Sequence, residues 1–177
     1  MITLSDINDL EKVIRAQLIA QSELNPKFVR NSLSLHGEAL EKFLNGQIYS
    51  SIDNKDVLML FELRSRDNES DMSEDEDGNI SYYKSFEIYV MVYGDNGTNV
   101  VNNVVARFRT QNVRLGLRDC GVYLETVSNP VRINEYKNET MWIRNDFTIA
   151  ITCHLAISKL SSDDPFAKIN DVTVETL

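Results

Sequence analysis

The sequence predicts an α+β domain, a mainly antiparallel sheet packed with two or three helices, and three observations in its second half carry that reading. From Ile80 to Tyr93, Tyr82, Phe86, Ile88, Val90 and Val92 form an apolar row while Ser85 and Glu87 break the other row, as in a partly covered strand. Val100, Val101, Val104, Val105 and Phe108 then recur at helical spacing. Finally, Met141, Ile143, Phe147, Ile149, Ile151, Cys153, Leu155 and Ile157 alternate with Arg144, Asp146, Thr148, Thr152 and His154, the cleanest period-two run in the chain. This order of strand, short helix and further strands carries no chemistry of its own and points to assembly rather than catalysis.

Along the chain, Thr3 or Ser5 caps a first helix over Ser5–Gln21, with Ile7, Leu10, Val13, Ile14 and Leu18 on one stripe. Asn25-Pro26 breaks it, because proline disfavours helical geometry in the residue before it and has no donor of its own. Phe28–Leu35 fits neither period, and Glu38–Leu44 reads as a short helix ended by Gly46, with Ile48–Ile52 an equal candidate for an edge strand. Val57–Arg64 is apolar on both faces, which suits a central strand whose partner is the strand ending at Tyr93. Between them, Asp67–Gly78 is too charged to bury and forms a solvated hairpin tip or a disordered loop.

Asn96-Gly97 would ordinarily mark a hairpin, yet the valine stripe behind it requires a helix, one held by packing because valine is a weak helix former. Val113–Leu117 is given no element, and no helix is predicted at Gly116–Gly121. Gly121–Val127 alternates as a strand, ended by Ser128-Asn129-Pro130, and Asn134–Thr140 reads as a polar connection. After Ser158 the chain turns polar and closes with Val172-Thr173-Val174. The domain expectation is therefore a single unit over 1–157 with an acidic insertion at 67–79, followed by a C-terminal extension or arm over 158–177.

The 177 residues suffice for one domain with its own core. A net charge of −9 argues against gripping nucleic acid, because neutralising phosphates needs a basic face. Cys120 and Cys153 sit in strand-like contexts without metal-ligand spacing, so both read as buried free thiols in a reducing compartment. The N-terminus lacks the apolar core and cleavage site of a signal peptide, and no apolar run reaches the ~20 residues that cross a bilayer. A cytosolic protein without a membrane partner is expected. Asn-x-Ser/Thr triplets at Asn68, Asn79, Asn96 and Asn138 then reflect an Asn-rich surface.

Three chemical readings fail on their own residues. In the acidic loop, aligning Gly78 with the glycine of a calcium-binding EF-hand puts Ser73 at the first ligand position and Lys84 where the closing glutamate belongs. Gly116 and Gly121 have the internal spacing of a phosphate loop, but Val122-Tyr123 replaces its Lys-Ser/Thr. Cys120 with His154 or His36 imitates a nucleophile and base, yet the adjacent Asp119 opposes a thiolate. No cofactor and no catalytic set is expected. Trp142 reads as a packing residue.

Arg107, Arg109, Arg114 and Arg118 form a locally basic patch in an acidic protein. They serve contact with a protein partner, ahead of passing DNA, or else complement a helix C-terminus and pair with nearby acids. Phe166, Ile169, Val172 and Val174 are spaced to anchor the C-terminal arm across a neighbour. Residue physics alone leaves a soluble α+β domain that builds a sheet, which a small cytosolic adaptor that binds a protein partner would fit.

Phe86–Tyr93, Val100–Phe108, Cys120-Gly121-Val122 with Asn129-Pro130, and Trp142-Ile143-Arg144 with Asp146–Ile149 together resemble the tail-terminator, or neck, proteins of tailed bacteriophages. The resemblance spans most of the chain, although the acidic insertion and the residues after Ser158 have no counterpart in it. It implies a non-enzymatic structural protein in the virion tail or neck, assembled in the host cytoplasm. Its protomers would form a ring, expected to be a hexamer, that ends the tail tube or sheath and docks to head–neck connector proteins. DNA would at most pass through the lumen. Tail-completion and head-closure proteins share this pattern and are the neighbouring alternatives.

Overall fold

The computed structural model describes residues 7–32, 57–66, 72–74, 76, 78–137 and 140–157. Helix α1 (Ile7–Ser22) is followed by a short 3-10 turn at Pro26–Phe28 and strand β1 (Val29–Asn31). Strands β2 (Leu58–Ser65), β3 (Met72–Glu74) and β4 (Ile80–Tyr93) lead to helices α2 (Gly97–Phe108) and α3 (Gln111–Asp119). The described chain then closes with β5 (Val122–Val127), β6 (Val131–Lys137) and β7 (Thr140–Ile157). The helix and edge strand weighed over Glu38–Leu44 and Ile48–Ile52 lie outside the described residues, as do Phe166, Val172, Val174 and the rest of the C-terminal extension.

Among the described residues these strands form one sheet of seven, with β1-β2-β4-β7-β5 as its main order. All pairings are antiparallel except β1 with β2. The fourteen residues of β4 pair along their whole length with β7, from Ile80↔Ile157 to Tyr93↔Arg144. On its other side β4 takes β2 against its second half and β3 against its start. The far side of β7 takes β5 near its end and β6 near its beginning, so β5 and β6 act as one edge strand broken at Ser128-Asn129-Pro130. The break is bonded rather than loose: Ser128 N–H donates to the Thr148 carbonyl at 2.9 Å, and Thr148 N–H to Ser128 Oγ at 2.8 Å.

The alternation of the two long strands sorts their side chains onto two faces. Phe86, Ile88, Val90 and Val92 of β4 join Phe147, Ile149, Ile151 and Cys153 of β7 in the core beneath the helices. Onto them pack Leu10, Ile14 and Leu18 of α1 and Val101, Val104, Val105 and Phe108 of α2. The valine-rich α2 is thus held by the packing its sequence demands. Its first residue, Gly97, leaves little room: a Cβ there would lie 3.2 Å from Asn145 Nδ2 and 3.4 Å from the Val92 side chain and carbonyl.

Three segments depart from the sequence reading. Residues 111–119 form helix α3, with Val113 and Leu117 buried one turn apart, whereas no helix is predicted there; Gly116 inside so short a stretch hides the period. Cys120 is consequently the helix cap rather than a strand residue, and Gly121 follows at φ 75°, a left-handed geometry that ends the helix at little steric cost. The polar connection expected over Asn134–Thr140 is mostly strand, since β6 runs to Lys137 and β7 begins at Thr140. Its polar residues suit an edge, where pairing to β7 on one side suffices.

Within the acidic insertion, Met72–Glu74 pairs with Ile80–Tyr82, and all three β3 residues are exposed. So small an exposed strand contributes little to the core. Replacing residues 67–78 by a short Gly-containing turn is expected to move the melting temperature by less than about 2 °C, with or without calcium. A loss of several degrees, or a calcium-dependent rise in the intact protein, would contradict this.

Candidate assembly surfaces

The predicted arginine patch gathers at the corner where α2, α3 and β5 meet, and three of its four members bind the chain itself. Arg107 joins the helices: its guanidinium donates to the Gln21 carbonyl at 3.1 Å and to the Glu23 carboxylate at 2.6 Å, both just past the buried stripe of α1. Arg109 holds the break in the edge strand, donating to the Val127 carbonyl at 2.9 Å and to Asn129 Oδ1 at 2.8 Å. Arg114 reaches the Leu124 carbonyl at 3.0 Å and ties α3 to β5. These bonds satisfy carbonyls at helix ends and at a strand bulge, where the regular ladder leaves acceptors over. Arg118 stands exposed in the last turn of α3.

The sheet face opposite the helices carries a second set of polar groups that the sequence reading did not single out. At one end of it, Arg64 pairs with Glu62 at 3.2 Å and lies over the Tyr89 ring, 4.6 Å from its centroid. The Tyr89 hydroxyl donates to Asp146 Oδ2, and Asp146 Oδ1 lies 2.9 Å from Arg144 Nε. Burial first, and then the bond to Asp146, raise the Tyr89 pKa. Burial opposes the Arg144 charge, yet the Tyr93 hydroxyl and the Asp146 carboxylate hold its pKa above the ordinary value. Asp146 is 4% exposed, so this chain of groups crosses three strands with a buried carboxylate at its centre.

Further along the same face, Ser85 Oγ and Thr152 Oγ1 share a bond of 2.8 Å, and Thr152 donates to Glu125, which also holds Arg66 at 3.1 Å. Glu125 sits where the register between β5 and β7 slips, and the bulge lets it turn toward Arg66 across the small side chains of Ser85 and Thr152. Beyond them, Tyr83 lies 4.8 Å from His154 and 6.3 Å from Tyr123, centroid to centroid. Tyr83 remains 47% exposed, an aromatic surface of the kind that protein interfaces favour. The signal for this face was present in the sequence as the polar positions of the two alternating strands, but alternation alone does not tell which of them meet.

The readings that imitate chemistry separate in space. Cys153 is fully buried, and burial pushes its thiol up to about 12, opposite to what a nucleophile requires. Cys120 caps α3, and His154 Nδ1 is buried with no hydrogen-bond partner among the described residues. His36 lies outside the described residues. Among the described residues no group of His, Cys, Asp and Glu is placed to hold a metal ion, and no helix is long and apolar enough to cross a membrane.

Among curated proteins, none matches the chain. Residues 50–177 match the family model described as phage neck terminator protein, which covers the sheet from β2 onward together with α2 and α3. With the larger part of its length matched, the chain belongs to the phage neck terminator protein family, a structural and non-enzymatic component of the phage tail and neck that assembles with other tail and neck proteins.

Proposed function

We propose that this protein closes into a ring of six copies where the tail tube or sheath ends, stops further polymerisation there and offers a docking face to head–neck connector proteins. The family match over residues 50–177 carries the reading. The fold is compatible with it, because the two sides of the sheet are unlike. One carries β1, β2 and the exposed acidic β3–β4 hairpin, and the other carries the broken β5–β6 edge with Arg109, Arg114 and Arg118 beside it. A ring needs such heterologous contacts, in which one surface of a protomer meets a different surface of the next. The net charge of −9 suits a lumen through which DNA moves without being held. Assembly would take place in the host cytoplasm before the ring joins the virion.

In this reading Arg107, Arg109, Arg114 and Arg118 border the contact between subunits, and Phe166, Val172 and Val174 anchor the C-terminal extension across a neighbour. Truncation after Lys159 is expected to leave a folded protomer with an unchanged melting transition and weakened ring formation, read by native mass spectrometry. Assembly as complete as that of the full chain would remove the arm from the proposal. Failure of the truncated chain to fold would instead place the segment in the core.

A further inference from the structure

Helix α1 packs on α2, and α3 packs on β5, which leaves a seam in the helix layer between α1 and α3. The seam is a groove of about 440 Å³ lined by Gln17 and Gln21 of α1, Arg107 of α2, Thr110 at the N-cap of α3, and Asn112 and Gly116 of α3. Its chemistry is that of amides. Gln21 Nε2 donates to Gln17 Oε1 at 3.3 Å, which leaves donor and acceptor capacity on both side chains, and Asn112 is exposed on the opposite rim. The one cation among its described lining residues is already neutralised, because Arg107 holds Glu23 at 2.6 Å and the Gln21 carbonyl at 3.1 Å. An anionic ligand would need an unspent positive charge; a peptide backbone, with one donor and one acceptor per residue, matches the amides as they stand.

Gly116 sharpens the inference. Glycine is the poorest helix former after proline, and a short helix that places one in its interior loses stability for it. Among the described residues nothing gives a reason for that loss: a Cβ at Gly116 would meet none of them within 4 Å, whereas a Cβ at Gly97 would crowd Asn145 and Val92. An interior glycine facing open space is explained by a chain that approaches from outside and lies against the helix backbone.

We propose that this groove seats the C-terminal extension of a neighbouring copy in extended form, with Gly116 as its floor and Gln17 and Asn112 as its amide rims. Twenty residues follow Ile157, and fully extended they span up to ~66 Å, long enough to cross from one protomer to the next. The segment is polar with small residues such as Ser161 and Ser162, as close approach to a helix backbone requires. The inference rests on the ring reading above and adds where the arm docks.

The test uses the protein truncated after Lys159, a synthetic peptide of residues 160–177, and the full chain. The peptide should bind the truncated protein; Gly116→Trp should weaken that binding at least ten-fold and reduce ring formation by the full chain. Gly116→Ala should raise the melting temperature by about 3 °C, as expected of a better helix former in open space, while weakening the peptide and the ring. These opposite signs distinguish a docking floor from a neutral glycine. If the full chain forms rings but neither Gly116 variant alters peptide binding or assembly, the docking site is refuted while the ring reading stands. Peptide binding lost in Gly116→Trp with assembly unchanged would mean that the arm folds onto its own protomer, which also refutes the proposal. A full chain that remains monomeric at every concentration and on tails removes both.

Discussion

Replacing Asp146 by alanine is expected to lower the unfolding free energy by about 3 kcal/mol, because it leaves the Arg144 charge without its carboxylate in a largely buried position. The loss falls at the low end for such a pair, since Arg144 keeps 20% of its side chain exposed and retains its bond to the Tyr93 hydroxyl. Tyr89→Phe removes only the neutral partner of the same carboxylate and should cost about 1 kcal/mol. Urea denaturation of the two variants beside the parent measures both numbers. If Asp146→Ala costs less than about 1 kcal/mol, or no more than Tyr89→Phe, Asp146 does not hold the Arg144 charge in the folded sheet as described.

Alkaline lability is the second large effect. Burial raises the Cys153 thiol from 9.0 to about 12 in the folded protein. Below pH 9 the folded and unfolded chains both hold this proton, so the contribution of the site to stability is complete there. As pH rises from 9 toward 12, the unfolded chain releases the proton while the folded one retains it, and stability falls by about 4 kcal/mol over that window. The raised Tyr89 adds a loss of the same sign above pH 10. Urea midpoints between pH 8 and 11.5 should therefore fall steeply in the parent and less steeply in Cys153→Ala. Parallel curves for the two proteins would show that the thiol titrates outside the core.

The elements that the sequence made legible are those whose period is long and whose faces differ in polarity. The strand Ile80–Tyr93 is found with the same limits, and the clean run from Met141 to Ile157 lies within β7, because each has one face under helices and the other bearing polar groups. The valine stripe overrode the Asn-Gly hairpin signal for a similar reason: four buried side chains outweigh one turn dipeptide. Helix α3 stayed hidden because only Val113 and Leu117 are buried in it and Gly116 interrupts its propensity. Strand β6 stayed hidden because edge pairing is a matter of backbone hydrogen bonds, which polar residues form as well as apolar ones.

The candidate surfaces were legible only in part. The arginine cluster was visible as a charge pattern, but its bonds to the Gln21, Leu124 and Val127 carbonyls depend on the helix corner that brings them near. The ladder from Glu62 to Arg144 joins residues as far as 82 positions apart, and nothing local to either end announces it. The groove floored by Gly116 arises between two helices of which one was not predicted. The family and the fold agree at one point: a sheet with two unlike sides suits a part whose work is contact with other proteins.

That claim is tested most directly by electron microscopy of phage tails carrying a label on this protein, with native mass spectrometry of the purified chain beside it. The account predicts a closed ring of six labelled copies at the head-proximal end of the tail, and tubes of uncontrolled length when the protein is withheld. A label distributed along the tail or absent from it, together with a purified chain that stays monomeric, would contradict it.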